Sequence, residues 1–209
     1  TENDITLASG NAVRAYTQIG HGGNDADSGA GLNDGTISIT SNSGSLSLTA
    51  GGSSASAQIG HGGVNTATAS GTSVTSSAID ISIAGNGSLV SGNGNNAYSQ
   101  IGHGGTNARV VNQLGDICVH VGGTWTLDAA ANDSAGTNAY VQIGHGGQNA
   151  DGNHAGDVTV VSGFTNAGGV TMLGGDTNGR FVQIGHGAGV TGRNMDLAGD
   201  IFVVANNGG

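Results

Sequence analysis

Residues 18–23 read Gln-Ile-Gly-His-Gly-Gly, and the same six residues return at 58–63, 100–105 and 142–147. A fifth copy at 183–188 differs only in ending with alanine. The glutamines are spaced by 40, 42, 42 and 41 residues. A fixed period of this size marks a solenoid, a propeller or another tandem array.

Each period carries three short segments with strand character. One follows an acidic residue: "DGTISI" (34–39), "DISI" (80–83), "GDICV" (115–119), "GDVTV" (156–160) and "GDIFV" (199–203). A second alternates around leucine, as in "SLSLTA" (45–50) and "TWTLDA" (124–129), and the third runs into the hexapeptide, as in "AYVQIG" (139–144). Strict alternation of apolar and polar residues is the period-two pattern of a strand. No window keeps apolar residues at helical spacing for more than a turn.

These patterns predict an all-β chain, a parallel β-helix or β-solenoid of five repeats of about 41 residues. Residues 1–209 read as one such unit, with three strands per repeat. A propeller blade needs four strands and is usually richer in aromatic residues than this chain, which has 3%. One coil per repeat stacks every like position on its counterpart, whereas two coils of about 20 residues stack them on alternate rungs. The one-coil arrangement is preferred because it explains why a whole face keeps its identity. It makes Ile19, Ile59, Ile101, Ile143 and Ile184 an inward ladder. Gln18, Gln58, Gln100, Gln142 and Gln183 then face the other way, beside Tyr16, Tyr98, Tyr140 and Phe181.

Composition narrows the function. The chain has 43 glycines, no proline, one cysteine and a formal charge of −10, with four basic residues in all. Nucleic acid is disfavoured because no basic patch could neutralise phosphates, and anionic membranes are disfavoured for the same reason. A lone Cys118 excludes an internal disulfide framework. No apolar stretch is long enough for a membrane span, and no N-terminal signal pattern is present. The chain begins at the leucine segment and stops just after the acid-led one. Neither end reads as a cap, which predicts an excerpt of a longer array or units that stack end to end.

The grammar "AYxQIGHGG…GDIxV…GxLxLxAG" resembles the repeat regions of large bacterial surface exoproteins, the filamentous-haemagglutinin-like and autotransporter-type adhesins. The resemblance covers essentially the whole chain, carried by "GSLSLTAGG" (44–52), "GDICVHVGGTWTL" (115–127) and the hexapeptides. It implies secretion, a β-helical stalk on the bacterial surface, and a role in adhesion or surface architecture. It implies no ligand-binding residue.

Two rows of side chains are candidate metal ligands. His21, His61, His103, His145 and His186 could hold Zn²⁺, Cu²⁺ or Ni²⁺, yet a straight ladder gives collinear ligands rather than three or four converging ones. The competing reading is a neutral imidazole bridging a glycine corner, with Gly20, Gly22 and Gly23 permitting positive φ. Asp34, Asp80, Asp116, Asp157 and Asp200 suggest calcium as a cofactor, since acidic glycine-rich turns in secreted repeats bind it. The alternative is that each carboxylate caps the start of a strand, and Asn65, Asn107 and Asn149 fit the same turn chemistry.

Catalysis is not expected. Polysaccharide-cleaving β-helices need clustered bases or paired carboxylates at one cleft, whereas Arg14, Arg109, Arg180 and Arg193 are scattered through the period. An ice-binding row is also disfavoured, because Ser38, Ser82, Cys118, Thr159 and Phe202 at one position are too mixed. The expected function is a structural or adhesive section of a solenoid, or a subunit joining end to end into a fibre. The expected partners are other copies, joined end to end by continuation of the solenoid, and surface glycans or other cells, met by the loops after each Gly-Gly, where length varies most.

Overall fold

The computed structural model describes residues 3–28, 34–68, 74–131, 136–187 and 195–206. Every regular element among them is a β-strand, every strand pair is parallel, and the strands stack into four sheets in the manner of a β-solenoid. The leucine sheet holds Ile5–Ala8, Leu46–Thr49, Gly87–Val90, Trp125–Asp128 and Val170–Leu173. The glutamine sheet holds Tyr16–Ile19, Ser56–Ile59, Tyr98–Ile101, Tyr140–Ile143 and Phe181–Ile184. The acid-led sheet holds Ile37–Ser41, Ile79–Ile83, Ile117–Val121, Val158–Ser162 and Ile201–Ala205.

Like residues pair directly. Gln18 is the register partner of Gln58, Gln58 of Gln100, Gln100 of Gln142, and Gln142 of Gln183. The chain therefore passes once through each of these sheets per period.

Alternation sends one set of side chains from the three sheets into a common core. Leu48, Leu89 and Leu127 meet Ile59, Ile101 and Ile143 there, with Ile81, Val119 and Val160 from the third wall. Trp125 is fully buried among them. It fits because its neighbour in the column, Gly87, has no side chain: a Cβ there would lie 2.4 Å from the indole ring.

A fourth sheet departs from the three-strand expectation. It holds six strands, Asp27–Ser28, Ala67–Thr68, Val74–Thr75, Arg109–Leu114, Asp151–Ala155 and Leu197–Ala198. These lie in the segments after each Gly-Gly that read as connecting loops. Several are only two residues long, and none alternates clearly, so periodicity does not reveal them. Residues 29–33, 69–73 and 188–194 of those segments, Arg193 included, lie outside the described residues.

The glutamine sheet consequently has two covered faces. Its three middle strands are buried at every position. Isoleucine faces the apolar core, while tyrosine and glutamine face a second compartment closed by the Gly-His-Gly-Gly turns.

A buried cation marks the corner between the leucine and glutamine sheets. Arg180 occupies the position held by Ala97 and Ala139 in earlier coils. Its guanidinium reaches back to the carbonyls of Ala129 (2.6 Å), Gly136 (2.9 Å) and Gly92 (3.2 Å) and to Ser91 Oγ (3.2 Å). Composition alone gave no hint of this strap.

Candidate functional site

The second compartment gathers the glutamine and histidine rows. Each hexapeptide glycine that follows isoleucine has φ between +136° and +152°. At Gly60, Gly102 and Gly144 an added Cβ would lie 1.9–2.0 Å from the carbonyl oxygen of the next coil. Only glycine fits, so the backbones approach closely and the flanking side chains fall into columns.

The five histidines stack face to face, with ring centroids 4.7–5.1 Å apart and planes within 12° of parallel. The main-chain N–H groups of His21, His61, His103 and His145 donate to Nδ1 of the histidine one coil on, at 2.9–3.1 Å. Because Nδ1 accepts, the ring proton sits on Nε2. Nε2 then donates across the corner: His61 to the Gly35 carbonyl, His103 to Ser77, His145 to Gly115 and His186 to Gly156, at 2.6–2.8 Å. The neutral tautomer is thereby fixed, and both nitrogens of these four rings are occupied.

Burial lowers the basicity of this column, and neighbouring imidazoles lower it further. His103 is pushed down to about 4, His145 lies well below the usual histidine range, and His61 and His186 are lowered mainly by burial. A cation bound to these rings would have to displace the ladder's own hydrogen bonds.

The glutamines are also directed at backbone. Gln100 Nε2 donates to the carbonyls of His103, Gly144 and Gly146, at 3.0–3.4 Å. Gln142 repeats the set on His145, Gly185 and Gly187. Tyr98, Tyr140 and Phe181 stack beside them at 4.8–4.9 Å. Tyr98 Oη donates to Gln58 Oε1 at 3.3 Å. Asn107 and Asn65, both with φ near +55°, extend a side-chain ladder through Asn65 to Asp25.

The aspartates do not form one column. Asp116, Asp157 and Asp200 do: Asp157 N–H donates to Asp116 Oδ1 and Asp200 N–H to Asp157 Oδ1, both at 2.9 Å. Asp80, by contrast, pairs in register with Cys118 and points outward from the strand. Asp34 lies two residues before the column and accepts from Ser77 Oγ, which holds its carboxyl below the usual carboxylate pKa. The mixed outward position therefore reads Ser38, Asp80, Cys118, Thr159 and Phe202, with Asp80 in place of Ser82. Matching by the acidic letter misaligned two coils. The isoleucines, which must enter the core, set the true register.

Cys118 and His120 share the outer face of one strand, Sγ lying 3.4 Å from Nε2. Burial raises the thiol's pKa, and Asp80 and Asp116 raise it further, which opposes an activated thiolate. Among the described residues no group of three or more His, Cys, Asp or Glu side chains is placed to hold a metal ion.

Sequence reasoning missed Gln113 and His154. They are register partners in the fourth sheet, fully buried against Gly104 and Gly146 of the hexapeptide turns. No described residue hydrogen-bonds either side chain, and burial pushes His154 down to about 4. The tripeptides preceding each acid, "QLG" (113–115), "HAG" (154–156) and "LAG" (197–199), carried the available signal.

No protein-family model, curated protein or solved structure matches the chain.

Proposed function

We propose that this chain is a section of a secreted bacterial β-solenoid, serving as a stiff surface stalk or adhesive filament. One observation carries the reading: the histidine and glutamine side chains of the repeated motif spend their hydrogen bonds on the neighbouring coil. Rows of identical residues bonded in this way stiffen a rod, while its outward positions and loops differ from rung to rung. Contacts that are weak singly gain avidity when displayed in series, the mode by which such a rod would hold glycans or another cell. Calcium at the outward carboxylates remains secondary to the hydrogen bonds that Asp116 and Asp157 already accept.

The test pairs mechanics with display. Pulled from its ends, the chain should resist and then lengthen in steps of about one coil. Beads carrying many copies should hold a bacterial or glycan-coated surface that a single copy does not. A chain that extends without steps and shows no gain from multivalent display would overturn the reading.

A further inference from the structure

The acid-led sheet carries one piece of chemistry that the repeat does not. Its central strand, Ile117–Val121, has two strands on each side, so both its flanks are covered by neighbouring coils. Ile117, Val119 and Val121 enter the core, while Cys118 and His120 stand together on the outer face, both half-buried. The same two positions hold Ser38 and Thr40, Asp80 and Ser82, Thr159 and Val161, and Phe202 and Val204 in the other coils. Of these five coils, only this one sets a thiol beside an imidazole.

Two features suit the pair to a metal ion. The first is its span: Sγ and Nε2 lie 3.4 Å apart. Zinc bonded to sulfur at about 2.3 Å and to imidazole nitrogen at about 2.0 Å holds the two donors about 3.5 Å apart at a tetrahedral angle. The resting pair therefore already has the bite of a chelate. The second feature is the surrounding charge. Asp80, exposed, is the register partner of Cys118 on the adjoining coil, one strand spacing of about 4.8 Å away. Asp116 stands two residues before Cys118 on the same side of the chain. The field of both carboxylates holds the proton on sulfur, and the same field attracts a cation that replaces it. Phe164 packs against the His120 ring, with centroids 6.2 Å apart, and restrains the imidazole.

We propose that Cys118 Sγ and His120 Nε2 chelate one thiophilic divalent cation of the zinc type, with Asp80 as third ligand and water completing the shell. The S–H bond breaks as the sulfur–metal bond forms, and its proton passes to solvent. Nε2 gives its lone pair while the ring proton stays on Nδ1, so one proton leaves per ion bound. No three-ligand group is preformed among the described residues, so Asp80 closes on the ion by a change of rotamer. The buried histidine column competes poorly, because both nitrogens of His103 and of His145 are engaged by backbone. The site stands on the register of the acid-led sheet alone and is independent of the stalk reading.

Calorimetric titration of the 209-residue chain with Zn²⁺, its thiol kept reduced by a phosphine, tests this. The expected result is one ion per chain and release of about one proton, read from the dependence of the heat on buffer ionisation. Cd²⁺ in place of Zn²⁺ should add the ultraviolet charge-transfer absorption of a metal thiolate. Cys118→Ser should abolish that absorption and weaken Zn²⁺ binding about a hundredfold, and His120→Ala should weaken it about tenfold or more. Thr126→Ala, on the outer face of the leucine sheet in the same coil, should change neither. Circular dichroism reports whether each variant keeps its β-form, and alkylation of Cys118 in the unsubstituted chain should abolish binding without any substitution. A chain that takes up no Zn²⁺ at millimolar concentration overturns the proposal. So does binding that Cys118→Ser or His120→Ala leaves undiminished, or that gives no thiolate absorption with Cd²⁺, since the ion then lies elsewhere.

Discussion

The main-chain N–H of His103 donates to Nδ1 of His145 across 3.0 Å, and the two rings stack 4.7 Å apart. One contact therefore makes the proton state of a side chain a condition of backbone pairing between coils. Protonating Nδ1 would turn an acceptor into a donor facing a donor.

Acid should weaken the fold in a definite window. An unfolded imidazole binds its proton near pH ~6.5, whereas folded His103 and His154 resist until about 4. Between those values the unfolded chain binds more protons, so stability rises with pH there. This contribution is fully present above pH ~6.5 and is lost as pH falls toward ~4, at about 1.4 kcal/mol per pH unit for each such histidine. Denaturant midpoints should be level from pH ~8 to ~7 and fall steeply by pH ~4.5. A level profile through pH ~5 would show that the column protonates freely. Nitrogen chemical shifts should also report the Nε2–H tautomer at neutral pH.

Glycines should divide sharply by position. Gly102→Ala places a Cβ 2.0 Å from the Gly144 carbonyl at φ +148° and should cost about 3–5 kcal/mol. Gly169→Ala meets nothing within 4 Å and should change stability by about 0.5 kcal/mol or less. Equal costs at the two sites, read from unfolding curves, would refute the close approach of the coils.

Gly87 and Trp125 should behave as one unit. Gly87→Ala alone drives a Cβ to 2.4 Å from the indole and should destabilise strongly. In a Trp125→Leu background the same change should cost about 1–2 kcal/mol less. An additive double-mutant cycle would show that the indole does not lie over Gly87.

Phe181→Tyr should stabilise. Tyr98 Oη donates to Gln58 Oε1, while Gln142 Oε1, in the equivalent place beside Phe181, has no hydrogen-bond partner. Tyr140 Oη and Gln100 Oε1, the same pair one coil earlier, are both without a partner among the described residues, so a gain of about 1 kcal/mol in thermal unfolding requires the added hydroxyl to take the Tyr98 geometry rather than that of Tyr140. A loss of stability would mean that the hydroxyl cannot reach the amide.

Much of this arrangement was legible in the residues. The spacing of Gln18 and its copies located the repeat, and alternation around Ile81, Leu89 and Ile101 located three walls of the core. The aspartates were less legible because an acidic residue two places along a strand reads the same in sequence. Asp80 differs from Asp116 only in the register that Ile79 and Ile117 impose. Gln113 and His154 were least legible, since a buried polar residue has no periodic signature, and its burial depends on a wall built from a distant part of the period.

The sequence by itself determined that the chain is a parallel all-β array whose like residues stack, because a repeated hexapeptide with period-two apolar flanks admits few other packings. It also determined where glycine is obligatory. The tertiary structure decided the side of the glutamine sheet that sequence left open. The chain after each Gly-Gly folds back as a fourth wall, so glutamine, tyrosine and histidine lie in a closed polar compartment. Burial there raises the cost of every unmet hydrogen bond, and that cost binds the imidazole column to the backbone of the neighbouring coil.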